Sequence, residues 1–424
     1  MSIIKDQFAA LVESFKMINK NTKRVLLFEP FFTIPYGMFV IYSSIYMTRM
    51  GVKDYQIGIL STVLNLVMLL SAPIAGILAN RLGRKKTLFI GDFLAWVLYA
   101  YIFFFAKDFK WFLIATIFNG LTRIPEIAWR LLLIEDATEN ERVAIYSLTV
   151  FIWNIGSLFA PLMGILVAKF GVIHATRGVI LAFAILVNVL ILVRHLITSE
   201  TSVGRTTLKE NENKERSITK RFIEYKETII YIIKKKELLL IMLVIVLNNF
   251  NMIFRDTYRN LYLTERLKFA DDIISTFPTI SAIITIIFIL IAIPTLKDKN
   301  HDKVLLYGII LISISNLIFL FAPSGIIGFI LVIFVVLLNA IGSAIYAAFV
   351  DAIFANSIED HKRAYVFSAS MVIISLLSMP MGAIAGQLYS ISKIIPFIIA
   401  FISTSLCIVL IYKKISLTEN IVEK

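Results

Sequence analysis

The sequence is poor in charge and in residues that bind metals. Charged residues make up 17% of its 424 residues, against about a quarter in a soluble globular protein. Its one cysteine, Cys407, excludes an internal disulfide bond and a cysteine-based metal cluster. The four histidines have no metal-ligand spacing, and no G-x-x-x-x-G-K-[ST] motif for ATP is present. We therefore expect no metal, no cofactor and no enzymatic activity.

Apolar residues dominate instead, at 58% of the chain, which predicts a polytopic membrane protein. A helix of about 20 apolar residues crosses a bilayer. By that criterion the sequence predicts twelve spans, at residues 25–48, 55–79, 87–106, 110–134, 143–168, 174–196, 238–263, 273–295, 303–322, 326–352, 364–389 and 393–412.

The cations indicate the orientation of these spans. With the N-terminus in the cytoplasm, 29 lysines and arginines lie in the cytoplasmic segments and their edges, and 10 lie in the opposite loops. Such an excess is typical of the cytoplasmic side of a membrane. We therefore predict a multi-pass protein of the cytoplasmic (inner) membrane with both termini inside. The net charge of +13 is explained by these loops, so a nucleic acid is not an expected partner.

Five regions follow from this pattern. Residues 1–24 are predicted to hold an amphipathic interfacial helix, because apolar residues recur on one face of 2–20. Residues 25–196 and 238–412 are the two six-helix bundles, and 413–424 form a cytoplasmic tail. Residues 197–237 are a cytoplasmic linker with a second amphipathic helix before span 7. Between about 200 and 215 the linker has almost no apolar side chains and is expected to be disordered or loosely held.

The most specific motif lies between spans 2 and 3. Residues 76–88 resemble the loop between helices 2 and 3 of the major facilitator superfamily, G-x-L-a-D-r-x-G-r-k-x-x-l. The matching residues are Gly76, Leu78, Arg81, Gly83, Arg84, Lys85 and Leu88. Asn80 departs from the family's aspartate, and the loop is interpreted as a cytoplasmic gate. Gly83 would permit the tight reversal, and Gly76 would permit close helix packing.

A weak internal repeat extends the resemblance over nearly the whole chain. A shift of about 220 residues brings Arg142 and Ser147 onto Arg363 and Ser368, and Pro161 onto Pro380. Two six-helix bundles joined by a linker are the parallel repeat of this superfamily. The resemblance thus implies an all-α membrane protein with two pseudo-repeated six-helix bundles, working by alternating access.

Residues 156–164 of span 5 partly match the G-x-x-x-G-P-x-x-G-G element that the family's exporters carry. Ala160 and Ile165 replace two of its glycines. The match is consistent with an exporter, and equally with a proline kink packed by small residues. The arginine that many exporters place on helix 4 is absent.

The resemblance implies that spans 1, 4, 7 and 10 line the substrate cavity, and each has polar residues at helical spacing. The candidate cavity residues are Thr33, Tyr36, Asn119, Arg123, Arg130, Asn248, Asn251, Arg255, Asn339, Ser343 and Tyr346. Outside spans 1, 4 and 7 the charges fall near span ends, among them Asp92 and Arg194.

The strongest charged cluster is Arg123, Glu126 and Arg130, whose spacing places both guanidinium groups beside the carboxylate. Glu126 would titrate protons, or the cluster would be a static ion pair. Glu29 and Asp256 are the other proton-coupling candidates. Glu29 would equally suit an interfacial position close to Arg24, and Asp256 would pair with Arg255.

These observations predict a monomeric secondary transporter in a lipid bilayer, with a small molecule as substrate. The first hypothesis is a proton-coupled exporter of an amphiphilic compound or drug. The alternatives are an importer of a sugar or other metabolite, and a receptor or assembly factor on the same fold that transports nothing.

Overall fold

The predicted helices are present in the computed structural model, which describes residues 15–16, 18–210, 229–296, 299–358 and 363–422. These residues form helices and turns without a β-strand. Nine of the described helices are long and apolar enough to cross a membrane, or ten if the bent pair Lys20–Val40 and Ser43–Arg49 is one span. The predicted all-α membrane fold is confirmed. The predicted amphipathic helices at 2–20 and 218–232 lie mostly outside the described residues.

Residues 1–214 and 270–282 form the first of two compact units. Its helices are α1 (Lys20–Leu26), α2 (Glu29–Val40), α3 (Ser43–Arg49), α4 (Asp54–Leu82), α5 (Arg84–Phe105), α6 (Phe109–Gly120), α7 (Arg123–Ile134), α8 (Glu139–Leu158), α9 (Ala160–Ile197) and α10 (Ser202–Glu210). Residues 270–282 belong to this unit because they pack along α9. The hydroxyl of Tyr42 donates a hydrogen bond to the carbonyl oxygen of Asp271 at 2.7 Å.

Residues 215–269 and 283–424 form the second unit. Its helices are α11 (Lys236–Leu261), α12 (Thr276–Ile291, which begins in the first unit), α13 (Ile293–Leu296), α14 (His301–Leu320), α15 (Ile326–Asn356), α16 (Arg363–Ser378), α17 (Met381–Ile391) and α18 (Ile395–Val422). One cluster of its core is mainly aliphatic, with Ile241, Leu305 and Ile411 among the buried side chains.

Several spans are interrupted, and most interruptions coincide with proline. Pro161 lies in the first turn of α9, and Pro380 precedes α17, so the shifted repeat places corresponding breaks in spans 5 and 11. Pro125 lies in the first turn of α7, after the break that divides span 4. Proline lacks an N–H group and is tolerated in a first helical turn. Between spans 5 and 6 the break is at Gly171, whose φ of 73° is left-handed.

The glycine-rich part of span 5 packs directly on span 1. A Cβ atom at Gly156 would lie 2.5 Å from the carbonyl oxygen of Thr33, closer than real contacts allow. The proline kink and close packing considered from the sequence are therefore present. Gly76 has a different environment from the one predicted, because a Cβ atom there would meet nothing within 4 Å. The interpretation of Gly76 as a close-packing residue was wrong.

This difference gives a matched pair of variants. Gly156→Ala is expected to lower the free energy of unfolding by about 1–3 kcal/mol, because the added methyl group overpacks the contact between α8 and α2. Gly76→Ala is the control and should leave stability unchanged or slightly higher, since alanine favours a helix over glycine. Unfolding by SDS in mixed micelles measures both, and equal stabilities for the two variants would contradict the packing argument.

Candidate substrate and proton-binding site

The first unit contains a cavity of about 730 Å³, a volume within the usual range for small-molecule sites. Side chains from α2 and from α4 through α9 form its walls. The predicted residues Tyr36, Asn119 and Arg130 line it, as do Glu29 and Glu126. Thr33 is buried elsewhere, and its hydroxyl donates to the carbonyl oxygen of Pro30 at 3.4 Å.

Two acidic side chains of the cavity wall meet one arginine. Arg194 donates a hydrogen bond to Asp92, and its Nη1 lies 3.6 Å from Oε1 of Glu29. The indole Nε1 of Trp129 donates to the same Oε1 at 2.8 Å. We call Glu29, Asp92 and Arg194 the acid cluster. Their side chains are only 9%, 9% and 12% exposed, so Glu29 is a buried member of the cavity wall. The alternative of an interfacial position close to Arg24 stays a prediction.

Local structure fixes each member of this cluster. Glu29 begins α2, where Pro30 follows it in the first turn. Asp92 directly precedes a π-helical stretch within α5, Phe93–Leu98, and such stretches often mark functional sites. Arg194 lies in the last turn of α9. The three elements come together only through tertiary packing.

The charges of this cluster do not cancel. Two carboxylates face one guanidinium group, and the Trp129 N–H is neutral, so one negative charge is in excess when both acids are ionised. An uncompensated charge in a buried site carries a large free-energy cost. Binding one proton to either carboxylate removes the excess. The arrangement is therefore chemically suited to hold and release a proton.

The predicted contacts of the span 4 cluster are present. Oε2 of Glu126 accepts a hydrogen bond from Nη1 of Arg123 at 2.6 Å, and Oε1 accepts one from Nη2 of Arg130 at 2.8 Å. We call these three residues the arginine cluster. Its excess charge is positive, and its side chains are far more exposed than those of the acid cluster. Glu126 thus has one cation at each oxygen.

Aromatic rings form much of the remaining wall. Phe32, Tyr36, Trp96 and Trp153 line the cavity and contact one another. The ring centroids of Phe32 and Trp96 are 4.9 Å apart with a nearly perpendicular arrangement. Edge-to-face contacts of this kind stabilise aromatic clusters beyond the effect of burial. The wall of the cavity therefore combines flat apolar surfaces with residues of the acid cluster and the arginine cluster.

The motif between spans 2 and 3 has the predicted reversal. Gly83 has a φ of 85° and separates α4 from α5. Arg84 is buried, and its Nη2 lies 2.8 Å from Oε1 of Glu135 at the end of span 4. Asn80 and Arg81 are exposed, while the backbone N–H of Lys85 donates to Oε2 of Glu200 at 3.0 Å. The role of this motif as a cytoplasmic gate stays a prediction.

The segment after span 6 is ordered where the sequence predicted disorder. Residues 202–210 form α10, and Thr201 is fully buried. The Thr201 hydroxyl donates to Glu135, and the backbone N–H of Ser202 donates to Asp136 at 3.0 Å. Polar contacts near the start of span 3 and at the end of span 4 thus replace the apolar burial that the segment lacks. The prediction of disorder was wrong for residues 200–210, and 211–215 lie outside the described residues.

Trypsin can test how firmly this segment is held. Thr201→Val removes a buried hydrogen bond to a carboxylate, which contributes about 1.5–3 kcal/mol. Cleavage after the exposed Arg205 should therefore become about tenfold faster or more in the purified protein, because local opening limits it. Thr206→Val is the control, since the hydroxyl of Thr206 bonds only within α10, to the carbonyl of Ser202. Equal cleavage of both variants would contradict the docking.

The predicted polar residues of the second unit have varied surroundings. Asn251 is buried and links α11 to α14, because its Oδ1 accepts a hydrogen bond from Nδ2 of Asn316 at 2.8 Å and its Nδ2 donates to Asn248. The predicted pair of Arg255 and Asp256 is present at 2.8 Å. Ser343 donates to Asn339 on α15, the helix that also carries Tyr346. The assignment of these residues to a substrate cavity stays a prediction.

Three important residues were missed from the sequence: Asp92, Arg194 and Trp129. Asp92 and Arg194 were set aside because they lie near span ends, although charges inside predicted spans are a general sign of function. They are 102 residues apart in sequence, so spacing could not pair them. Trp129 had no sequence feature that separated it from lipid-facing aromatic residues.

Comparison with known proteins agrees with the fold. A sequence profile described as Major Facilitator Superfamily matches residues 31–301. Among solved structures, the nucleoside transporter NupG superposes with a TM-score of 0.69 at 14% identity, over 94% of this chain and 99% of that chain. A peptide transporter POT in complex with sulfate gives 0.68 at 14% identity over 95% of both chains.

A POT family transporter in complex with 5-aminolevulinic acid is also similar, with a TM-score of 0.67 at 14% identity over 96% of this chain and 99% of that chain. At these identities the likeness concerns the fold alone. No match was found among curated proteins.

Proposed function

Because the chain belongs to the major facilitator superfamily, we propose that it is a proton-coupled secondary transporter of a small amphiphilic molecule, working by alternating access. The observation that carries the coupling is the acid cluster, in which Glu29 and Asp92 face the single cation Arg194. Its excess negative charge is removed by one proton. A change of access that altered the solvation of this cluster would change its proton affinity, and so couple proton movement to transport.

The geometry favours the acid cluster over Glu126 as the proton-binding group. Each oxygen of Glu126 bonds to its own arginine, at 2.6 and 2.8 Å, so protonation would leave two cations without an anion. Glu29 and Asp92 have the opposite balance, with two anions to one cation. Glu126 remains a candidate if a conformational change separates it from Arg123 and Arg130.

The cavity supports an amphiphilic substrate. Its volume of about 730 Å³ suits a small organic molecule, and its wall combines aromatic rings with charged groups. The proposal requires no bound cofactor and no second copy of the chain. It places the protein in the cytoplasmic membrane with both termini inside, which the excess of cations in the predicted cytoplasmic segments supports.

Export is the direction predicted from the partial motif of span 5. The uptake of a sugar or other metabolite, and a receptor or assembly role, are the alternatives. A proton gradient separates these cases. When protons flow into the cell, a transporter that exchanges substrate for protons exports the substrate, whereas one that moves both in the same direction imports it. A receptor would bind ligand and show no flux.

The test uses purified protein in proteoliposomes. Counterflow with a panel of radiolabelled amphiphiles and metabolites first identifies a transported compound. A pH gradient of either sign is then imposed while potassium and valinomycin clamp the membrane potential. We expect accumulation of that compound under one sign of the gradient. Flux that is the same under both signs of the pH gradient would overturn proton coupling, and binding without flux would favour a receptor.

A further inference from the structure

The arginine cluster has positive charge that its own carboxylate does not use. Glu126 contacts only Nη1 of Arg123 and Nη2 of Arg130. A guanidinium group has five N–H donors in a planar fork, so one carboxylate cannot saturate two of them. The side chains of Arg123 and Arg130 are 40% and 58% exposed, and Arg130 lines the cavity.

We propose that the arginine cluster is the subsite for an anionic group of the substrate, and that Glu126 occupies it when the substrate is absent. The inference rests on the proposed function and names its substrate class. An incoming carboxylate would take the donors that Glu126 now accepts from, in the two-pronged geometry that arginine and carboxylate groups favour. Glu126 is then an internal competitor that keeps both guanidinium groups oriented, with that of Arg130 at the cavity wall.

The charged groups that are accessible from the cavity determine the sign of the charge that the substrate carries. The carboxylates of the acid cluster are nearly buried, and each has Arg194 at one of its oxygens, which at Glu29 also accepts from Trp129. The guanidinium group of Arg130 is open to the cavity. A charged group that enters therefore meets available N–H donors before it meets an available carboxylate, which favours an anion over a cation.

The position of the subsite defines the rest of the substrate. Trp129 lies next to Arg130 on α7, and Trp96 and Trp153 line the same cavity. A planar apolar group attached to the anionic group would stack against these rings while the anionic group binds the arginines. The substrate class is therefore an amphiphile with one carboxylate or similar anionic group on an aromatic or flat apolar body.

Three probes of one shape test the charge. 2-Naphthoate, 2-naphthamide and 2-naphthylmethylammonium share the ring system and differ in charge. Binding to the protein in nanodiscs can be followed by quenching of tryptophan fluorescence, because three tryptophans line the cavity. We expect 2-naphthoate to bind about tenfold more tightly than 2-naphthamide, because only the carboxylate forms hydrogen bonds with the arginines in which both partners are charged. The ammonium probe should bind most weakly.

Variants then test the competition. Glu126→Gln should tighten 2-naphthoate binding by about tenfold, because the competing carboxylate is gone, and Arg130→Gln should weaken it by about tenfold. Arg49→Gln is the matched control, since Arg49 forms an exposed ion pair with Asp271 outside the cavity wall, and it should change nothing. 2-Naphthamide binding should be unaffected by all three variants.

Three results would overturn the inference. They are equal or tighter binding of the ammonium probe, 2-naphthoate affinities that do not respond to Glu126→Gln and Arg130→Gln, and a Glu126→Gln variant that binds no 2-naphthoate. None of them concerns the acid cluster. Proton coupling is tested separately on Glu29 and Asp92, so the two proposals can fail independently.

Discussion

Arg194→Met is expected to lower the free energy of unfolding by about 3–5 kcal/mol. Removing one partner of a buried ion pair leaves uncompensated charge in the low-dielectric interior, which is among the most destabilising changes known. Here two carboxylates, Glu29 and Asp92, would lose their only cation in the cluster. Methionine keeps most of the side-chain length, so the effect reports charge more than volume. SDS unfolding in mixed micelles measures it.

Additional substitutions can show whether this loss of stability comes from uncompensated charge or from lost packing. Adding Glu29→Gln and Asp92→Asn to Arg194→Met should restore most of the lost stability, because no charge remains in the acid cluster. Arg130→Met is the control and should cost at most about 1 kcal/mol, since Arg130 is exposed and its ion pair is weak. If the triple variant is no more stable than Arg194→Met, the acid cluster is held by packing and the charge argument fails.

The second large effect concerns transport. Glu29→Gln combined with Asp92→Asn should abolish accumulation driven by a pH gradient, while exchange of labelled for unlabelled substrate at equal concentrations continues. Exchange needs the cavity but no net proton movement, so it continues in the protein that remains folded, although stability falls because Arg194 loses both of its anions. The single variants separate the roles of the two acids. The readout is the ratio of driven uptake to exchange in the same proteoliposomes.

The control for this experiment removes a carboxylate from an ion pair away from the cavity wall. Asp271 pairs with Arg49 at 3.0 Å, and Asp271→Asn should leave the ratio of driven uptake to exchange at its wild-type value. Wild-type driven accumulation by the double variant would mean that the acid cluster is structural. Loss of exchange together with driven uptake would mean that the cluster shapes the cavity.

Local patterns predicted much of this fold. Hydropathy located the spans, and the motif at 76–88 placed the reversal at Gly83, whose φ is 85°. Spacing within one helix also predicted the contacts of Glu126 with Arg123 and Arg130, because residues three and four apart share a helical face. Each of these features is determined by residues close together in the sequence.

The acid cluster could not be predicted in the same way. Trp129 and Glu29 are 100 residues apart, and nothing in either local sequence indicates their pairing. Hydropathy also did not predict the interruption of span 1 between Leu26 and Glu29, which begins a new helix at Glu29. Similarly, the scarcity of apolar residues near Thr201 predicted disorder, because the hydrogen bonds that hold this segment go to residues distant in the sequence.

The central claim is that the acid cluster binds the coupling proton, and infrared spectroscopy tests it most directly. A protonated carboxyl group has a carbonyl stretching band that the carboxylate lacks, and difference spectra of the protein in lipid follow it over the pH range in which transport operates. We predict one such band in the wild type and in Glu126→Gln, and its loss in Glu29→Gln with Asp92→Asn. An unchanged band in the double variant, or its loss in Glu126→Gln, would contradict the account.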